Sequence, residues 1–447
     1  MFKIAFRNVL RNGRRSLMTA SAIAVGATAL ILFGEYNGTA VVGMQTGVVQ
    51  GMGHLSVFKQ GYFEFGSARP LEYSIGGYEA VIRLIEDDPV LKPMLAVVTP
   101  TISLGGIAGN ARLDQSKTFF GTGFVPSDRD KMNRWDEYKL NMSGNSAKSG
   151  MSDDVIDHGV IGKGLARILG LCKPLKIADC RTPPRPAESA VVDEPVPAGE
   201  KSPRIDLLSG AGGAPSIVAF YVDEARGMPF KEFNDSYVGM HIKLAQQLLY
   251  GAGEKKVSAI NIQLNRSEDM AAARARLNAL FAEHHLKLEV RDFKELQPSY
   301  NQIIGFLQVL FGFLSVILGI IVLFTIANTM GMSVMERTNE VGTARAMGVR
   351  RSGIRRQFLL EGAILGVFGA SAGVVLGIAA TWWINHAGIT YTPPGNASAI
   401  PLYLLTRHNE GLMFGIWLVL VVMATLATII PANRAARMKV VDALRHV

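Results

Sequence analysis

The sequence predicts a polytopic α-helical membrane protein with four transmembrane helices and a large α+β extracytoplasmic domain between the first and second. Three observations predict it. Of the 447 residues 49% are hydrophobic and mean hydropathy is positive, too apolar for a soluble chain of this size. Four runs reach the length that crosses a bilayer core, about 20 apolar residues. Basic residues crowd beside those runs. Lys3, Arg7, Arg11, Arg14 and Arg15 precede the first; residues 331–357 carry six arginines against Glu336 and Glu340; Arg434, Arg437, Lys439 and Arg445 face only Asp442 after the last. A net charge of +9 distributed this way follows the positive-inside rule and argues against nucleic acid as a partner. It places the N-terminus, the 331–357 loop and the C-terminus in the cytoplasm.

Residues 1–15 read as a cytoplasmic amphipathic elbow. Phe2, Phe6, Val9, Leu10 and Gly13 share one face and Lys3, Arg7, Arg11 and Arg14 another, the pattern of a helix lying in the membrane interface. The first span takes up 16–39, with its apolar run from Ser16 to Gly34. That run is long for a signal peptide and no small-x-small cleavage site follows, so it reads as an uncleaved anchor.

Residues 40–298 form the external domain, with room for two subdomains. Strand-like runs recur at His54–Phe58, Ala96–Leu104, Thr118–Gly123, Ile217–Val222 and Val257–Leu264. Residues 259–293 read as strand, helix, strand, with Ser267 as N-cap and Glu268 and Asp269 at the positive helix end. Tyr36–Gln50 and Glu295–Asn301 extend the neighbouring spans as helical stalks. Residues 172–215, rich in Pro, Gly and charge, read as a long insertion. The chain's two cysteines, Cys172 and Cys180, stand at its start, and an oxidising compartment allows a structural disulfide between them. No Cys/His cluster has metal-ligand spacing, and no nucleophile, base and orienting acid can be picked out, so the chain reads as a non-enzyme.

The remaining spans lie near 303–330, 358–385 and 412–431 in the segment 299–447. In the third, Gly362, Gly366, Gly369, Gly373 and Gly377 repeat at three and four residues, so one face admits a close neighbour. The neighbour is either another span of the same subunit or a second subunit. No ionisable residue sits at mid-depth; Glu35, Glu361 and His386 lie near span ends. Ion-coupled transport needs buried relays, so its absence points to another energy source. The nearest approach to a phosphate loop is Gly162-Lys163-Gly164, which lacks both the leading Gly and the Ser or Thr of G-x-x-x-x-G-K-[ST]. If ATP supplied that energy, ATP and Mg would have to be bound by a separate ATPase.

The sizeable cytoplasmic loop that could receive such a partner is 331–357. Val334–Met347 can form a short lateral helix, with Gly348 as its stop and Ser352 as cap of the next helix. Glu336 and Glu340, one turn apart, repel unless a cationic groove relieves them. A solvated loop and a docking helix fit these residues equally.

"MERTNEVGTARAMGVRRSGIRRQFLLEGAILGVFGASAG", the ending "PANRAARMKVVDALRHV" and the start "FRNVLRNGRRSLMTASAIAVG" resemble the FtsX/MacB-like ABC transporter permeases, the type VII or mechanotransmission class that includes lipoprotein-releasing LolC and LolE. "VIGKGLARILGL" resembles a piece of that family's periplasmic domain. The resemblance implies a bacterial inner-membrane permease, two copies pairing as homodimer or heterodimer and docking on two ABC ATPase subunits. The lateral helix would be the coupling helix, with Glu336, Arg337, Glu340, Gly342, Arg345, Ala346, Met347 and Gly348 as contacts. Ala346 and Met347 would fill an apolar notch. ATP hydrolysis by the partner would drive a periplasmic change that extracts or exports a hydrophobic cargo such as lipoprotein, lipid or amphipathic drug, with or without a periplasmic partner. The alternative implied is an FtsX-like regulator of a cell-wall hydrolase. The insertion at 172–215 departs from the compact segment the family has there.

Overall fold

The structure is a computed structural model that describes residues 2–66, 69–140, 148–177, 202–210, 215–228, 231–251, 253, 255–392, 400–405 and 410–440. Its elements in chain order begin with α1 (Phe2–Arg11), α2 (Gly13–Met52), β1 (Leu55–Lys59), β2 (Ile75–Gly76), α3 (Tyr78–Asp87), β3 (Leu95–Asn110), β4 (Gln115–Phe124) and α4 (Pro126–Asn133). There follow β5 (His158–Gly162), α5 (Lys163–Ile168), β6 (Arg204–Ser209), β7 (Ser216–Arg226), α6 (Lys231–Asn234), β8 (Tyr237–His241), α7 (Ile242–Tyr250), β9 (Lys256–Val257) and β10 (Ala259–Leu264). Then come α8 (Met270–Glu283), β11 (Leu288–Asp292), α9 (Phe293–Leu296), α10 (Pro298–Glu336), α11 (Thr338–Ala346), α12 (Arg351–His386), β12 (Thr390–Tyr391), β13 (Ile400–Pro401), α13 (Glu410–Ala427) and α14 (Ile429–Arg437). The chain divides into two compact units.

Unit one is helical and comprises residues 1–41, 301–389 and 401–447. Four helices, Gly13–Met52, Pro298–Glu336, Arg351–His386 and the segment Gly411–Arg437, are long and apolar enough to cross a membrane, which makes the chain a polytopic membrane protein. Phe306, Val309, Phe313, Val316, Ile320 and Phe324 of α10 are exposed in the isolated chain, an apolar stripe suited to lipid or another span. The glycines of α12 face inward. A Cβ at Gly362 would meet Thr428, at Gly366 Ala424, at Gly369 Ile23, at Gly373 Ala27 and at Gly377 Ile31. The close neighbours are therefore α2, α13 and the residue that precedes α14, all within one chain.

Unit two comprises residues 42–300 and 390–400. Its nine-stranded sheet has the order β11-β1-β10-β3-β4-β8-β5-β7-β6, and β6 also pairs with β3. The first four strands are mutually antiparallel, with α3 and α8 in the crossings β1-α3-β3 and β10-α8-β11. That is a ferredoxin-like arrangement. Everything from the middle of β3 to β9 is inserted into it, and there β3, β4, β8, β5, β7 and β6 close a ring. The core follows the patterns of the elements. β10 is buried along its whole length, and α8 buries Ala273, Leu277, Leu280 and Phe281, one helical face.

Some local expectations are corrected. Ser267 is not the cap of α8; it opens a 3-10 turn, Ser267–Asp269, and its hydroxyl is engaged elsewhere. Ser352 lies inside α12, whose N-cap position is Arg350. Gly162 and Gly164 make no phosphate cradle, because Asn234 and Asp235 occupy the space beside them. Cys172 is buried, whereas Cys180 and residues 178–201 of the insertion lie outside the described residues.

Candidate functional site

The lateral helix expected after the second span is α11. It forms between two breaks. α10 ends at Glu336, and Arg337 stands at the N-cap of α11 without a side-chain cap bond. At the other end Gly348 takes φ +92°, a conformation costly for residues with a Cβ. The Gly348 N–H donates to the Arg345 carbonyl at 3.1 Å and the Val349 N–H to the Ala344 carbonyl at 3.1 Å. This paired closure is a Schellman stop, so Gly348 acts as the helix terminator.

The charged residues around α11 do not all face outward. Arg337 is 6% exposed and its Nη1 donates to both carboxylate oxygens of Glu361 at 3.0 Å, while its Nε donates to Glu340 at 3.0 Å. Glu361, on α12, also accepts from Asn8 of α1 at 2.7 Å. Arg337 lies over the Phe358 ring as well, 5.5 Å from its centroid. Burial works against the guanidinium charge, but Glu361 and then Glu340 outweigh it and raise the pKa above the ordinary arginine value. Burial likewise opposes the Glu340 carboxylate, and Arg337 and Arg11 overcome it, holding Glu340 below the usual carboxylate range.

This arrangement corrects two expectations. Arg337 and Gly342 are buried within the chain, so neither offers a side face to a partner. The repulsion between Glu336 and Glu340 needs no external cation, because Arg15 pairs with Glu336 and Arg11 with Glu340. Glu336 and Glu340 remain half-exposed. Arg345 is partly buried, and its Nε has no hydrogen-bond partner among the described residues. Ala346, Met347 and Gly348 are exposed, Met347 at 75%, with Met335 nearby in sequence at 73%. The site is thus an ionic lock on the inner side of α11, joining α1, α11 and α12, and an apolar tip at its C-terminal end. A small cavity beside the lock, about 20 Å³ and lined in part by Asn8, Asn12, Ser333 and Glu361, has room for about one water.

A second construction escaped the sequence reading. In unit two the last turns of α2 are clamped to the domain. Gln45 donates to the Ser267 hydroxyl at 3.0 Å, Gln50 to the Trp135 carbonyl at 2.8 Å, and Gln263 to the carbonyls of Val49 and Met132 at 3.3 and 3.1 Å. Arg129 of α4 donates to the Gln50 and Gly51 carbonyls, closing the helix C-terminus with a cation. Beneath the clamp, His54 is fully buried. Its Nδ1 accepts from the Leu264 N–H at 3.0 Å, so the proton sits on Nε2 and is donated to the Ser267 hydroxyl at 3.1 Å. That hydroxyl donates onward to Glu137 at 2.6 Å.

Burial lowers the His54 pKa to about 4. The unfolded chain then binds protons that the folded one refuses. Stability is full above the ordinary histidine pKa near ~6.5 and falls as the pH drops toward 4, by on the order of 3 kcal/mol. Thermal midpoints at pH 7.5 and pH 5 check this. The difference is expected to shrink in His54→Asn; an unchanged difference would remove His54 as its source.

Residues 312–440 match the family model described as FtsX-like permease C-terminal, a stretch that holds most of α10 and all of α11, α12, α13 and α14. The chain is 27% identical over 237 residues to the macrolide export ATP-binding/permease protein MacB of Hyphomonas neptunium, covering 52% of this chain and 34% of that protein. It is 28% identical over 129 residues to the lipoprotein-releasing system transmembrane protein LolC of Xylella fastidiosa, covering 28% of this chain and 31% of that protein. The matches span about a third of these relatives' length. The periplasmic region of MacB from Actinobacillus actinomycetemcomitans aligns over 57% of this chain and 95% of that one, at 11% identity and a TM-score of 0.31. Residues 312–440 are thus similar to the C-terminal part of FtsX-like permeases, and parts of the chain are similar to MacB and LolC.

Proposed function

We propose that this chain is the permease subunit of an ATP-driven ABC transporter of the MacB/LolC type. α11 is its coupling helix, seated on a separate ATPase that binds ATP and Mg. The observation that carries this reading is the geometry of α11 inside the FtsX-like domain: an apolar tip at Ala346 and Met347 exposed to a partner, and an inner face locked by Arg337 to Glu361. Force applied at the tip reaches α12 through Arg337 and Glu361, and α1 through Asn8 and Arg11. In this reading the N-terminus, α11 and the C-terminus are cytoplasmic and unit two lies in the periplasm. Two permeases and two ATPases assemble, and the clamped end of α2 moves the outer domain to extract or export a hydrophobic cargo.

Met347→Asp tests the docking. Met347 has no internal work to lose, so the folded chain should be unchanged while a charge enters the apolar tip. Binding of the cognate ATPase should weaken by about tenfold or more, as at an interface hot spot, and ATPase stimulation by the permease should disappear. Co-purification and ATPase rate in lipid nanodiscs read both. Undiminished binding and stimulation would sink the coupling assignment.

A further inference from the structure

Helix α1 has three different faces. Ala5 and Asn8 are buried against the bundle, where Asn8 reaches Glu361. Phe2, Phe6 and Leu10, one turn apart, form an exposed apolar line. Lys3, Arg7 and Arg11, each one residue further on, form an exposed basic line about 100° around the helix. The apolar line runs on into the spans, for the Phe6 ring lies 6.2 Å from that of Phe368, a half-exposed residue of α12.

The basic line is only partly matched. Arg11 pairs with Glu340 of α11, and both side chains are half-exposed. Lys3 and Arg7 form no ion pair among the described residues, and α1 contains no acid. Cations one turn apart on a helix repel, and nothing inside the described chain relieves Lys3 and Arg7.

We propose that α1 binds the headgroups of anionic phospholipids in the leaflet beside it, and that these headgroups compete with Glu340 for Arg11. The partner must offer an apolar layer and an anionic layer side by side. An anionic phospholipid does so, with acyl chains along Phe6 and Phe368 and its phosphate at Lys3 and Arg7. A phosphate held by Arg7 lies one turn from Arg11, whose guanidinium binds phosphate in the same two-pronged way as carboxylate. Releasing Arg11 does not strand Glu340, which keeps the Arg337 Nε at 3.0 Å. Anionic lipid would thus loosen α1 from α11 and leave the inner face of α11 locked. The site depends on the membrane spans and not on an ATPase, so it stands or falls separately from the coupling assignment.

The test places the full chain in nanodiscs of equal parts palmitoyl-oleoyl phosphatidylglycerol and palmitoyl-oleoyl phosphatidylcholine. Native mass spectrometry then reads the ratio of the two lipids retained. Phosphatidylglycerol should be retained in excess, and Arg7→Gln should lower the ratio about fivefold, the worth of one basic residue at a charged surface. Arg356→Gln, which removes an exposed arginine of α12, should change it little. Glu340→Gln frees Arg11 and should raise the ratio about threefold, the worth of one exposed ion pair. That gain should vanish when Arg11→Gln is added. Retention of the two lipids in proportion, equal losses in Arg7→Gln and Arg356→Gln, or a Glu340→Gln gain that persists with Arg11→Gln would each overturn the proposal.

Discussion

Arg337→Ala is expected to destabilise the chain by about 3–5 kcal/mol, the penalty for leaving one partner of a buried ion pair alone. Glu361 is 3% exposed, and without Arg337 it keeps, among the described residues, only the Asn8 amide. The loss should appear as a lower thermal midpoint in detergent and as aggregation of a large fraction of the purified chain. Replacing both partners, Arg337→Met with Glu361→Leu, should recover most of the loss, since apolar side chains of similar size leave no charge to solvate. Glu340→Gln gives the scale for a half-exposed member of the same network: under about 1 kcal/mol. The double variant separates stability from signalling. If α11 couples to an ATPase as proposed, the double variant should fold and still bind that ATPase through Met347, yet respond to it weakly, because α11 is no longer fastened to α12 by charge. A single Arg337→Ala chain as stable as the parent would show that the pair is not buried in the membrane-embedded protein.

The contrast between Arg337 and Met347 shows what the sequence could disclose. The four spans were legible because twenty-residue apolar runs have few other readings, and the β10-α8-β11 unit was legible because its residues are contiguous. Gly348 was legible because a helix stop is a local event. Arg337 was not. Read locally, it belongs to a charged stretch and looks like a surface residue, while its partner Glu361 lies 24 positions away and Asn8 lies 353 positions from Glu361. The relief of Glu336 by Arg15 and of Glu340 by Arg11 is equally remote. The clamp on α2 leaves no pattern at all, since Gln263 and Arg129 donate to backbone carbonyls that every residue possesses. The first half of the ferredoxin-like layer is hidden for a related reason: the ring of strands interrupts it between β3 and β10.

The glycine face of α12 carries the other large effect. Gly373→Ala should be destabilising although alanine is the better helix former. Its Cβ would stand 2.4 Å from the Ala27 Cβ and 2.7 Å from the Ala24 carbonyl oxygen, so backbone must move against backbone. The Thr28 hydroxyl, which lies 3.1 Å from the Gly373 carbonyl, would lose that contact as the helices part. Overpacking of this kind costs roughly 1–3 kcal/mol, and Gly373→Leu should cost more. Neighbouring positions supply a graded series. At Gly369 the nearest atoms are the Ile23 Cβ at 2.7 Å and the Ala20 carbonyl at 2.9 Å, while at Gly377 the three nearest atoms all belong to the Ile31 side chain, the closest at 3.1 Å. At Gly415 of α13 nothing among the described residues lies within 4 Å. Thermal midpoints of the four alanine variants should therefore rise in the order 373, 369, 377, 415, with Gly415→Ala neutral or slightly stabilising. The same order should hold at dilutions where the chain is monomeric, because α2 and α12 meet within one subunit. An order that appears only at concentrations favouring association, or a Gly373→Ala chain as stable as Gly415→Ala, would move the glycine face to a contact between two copies.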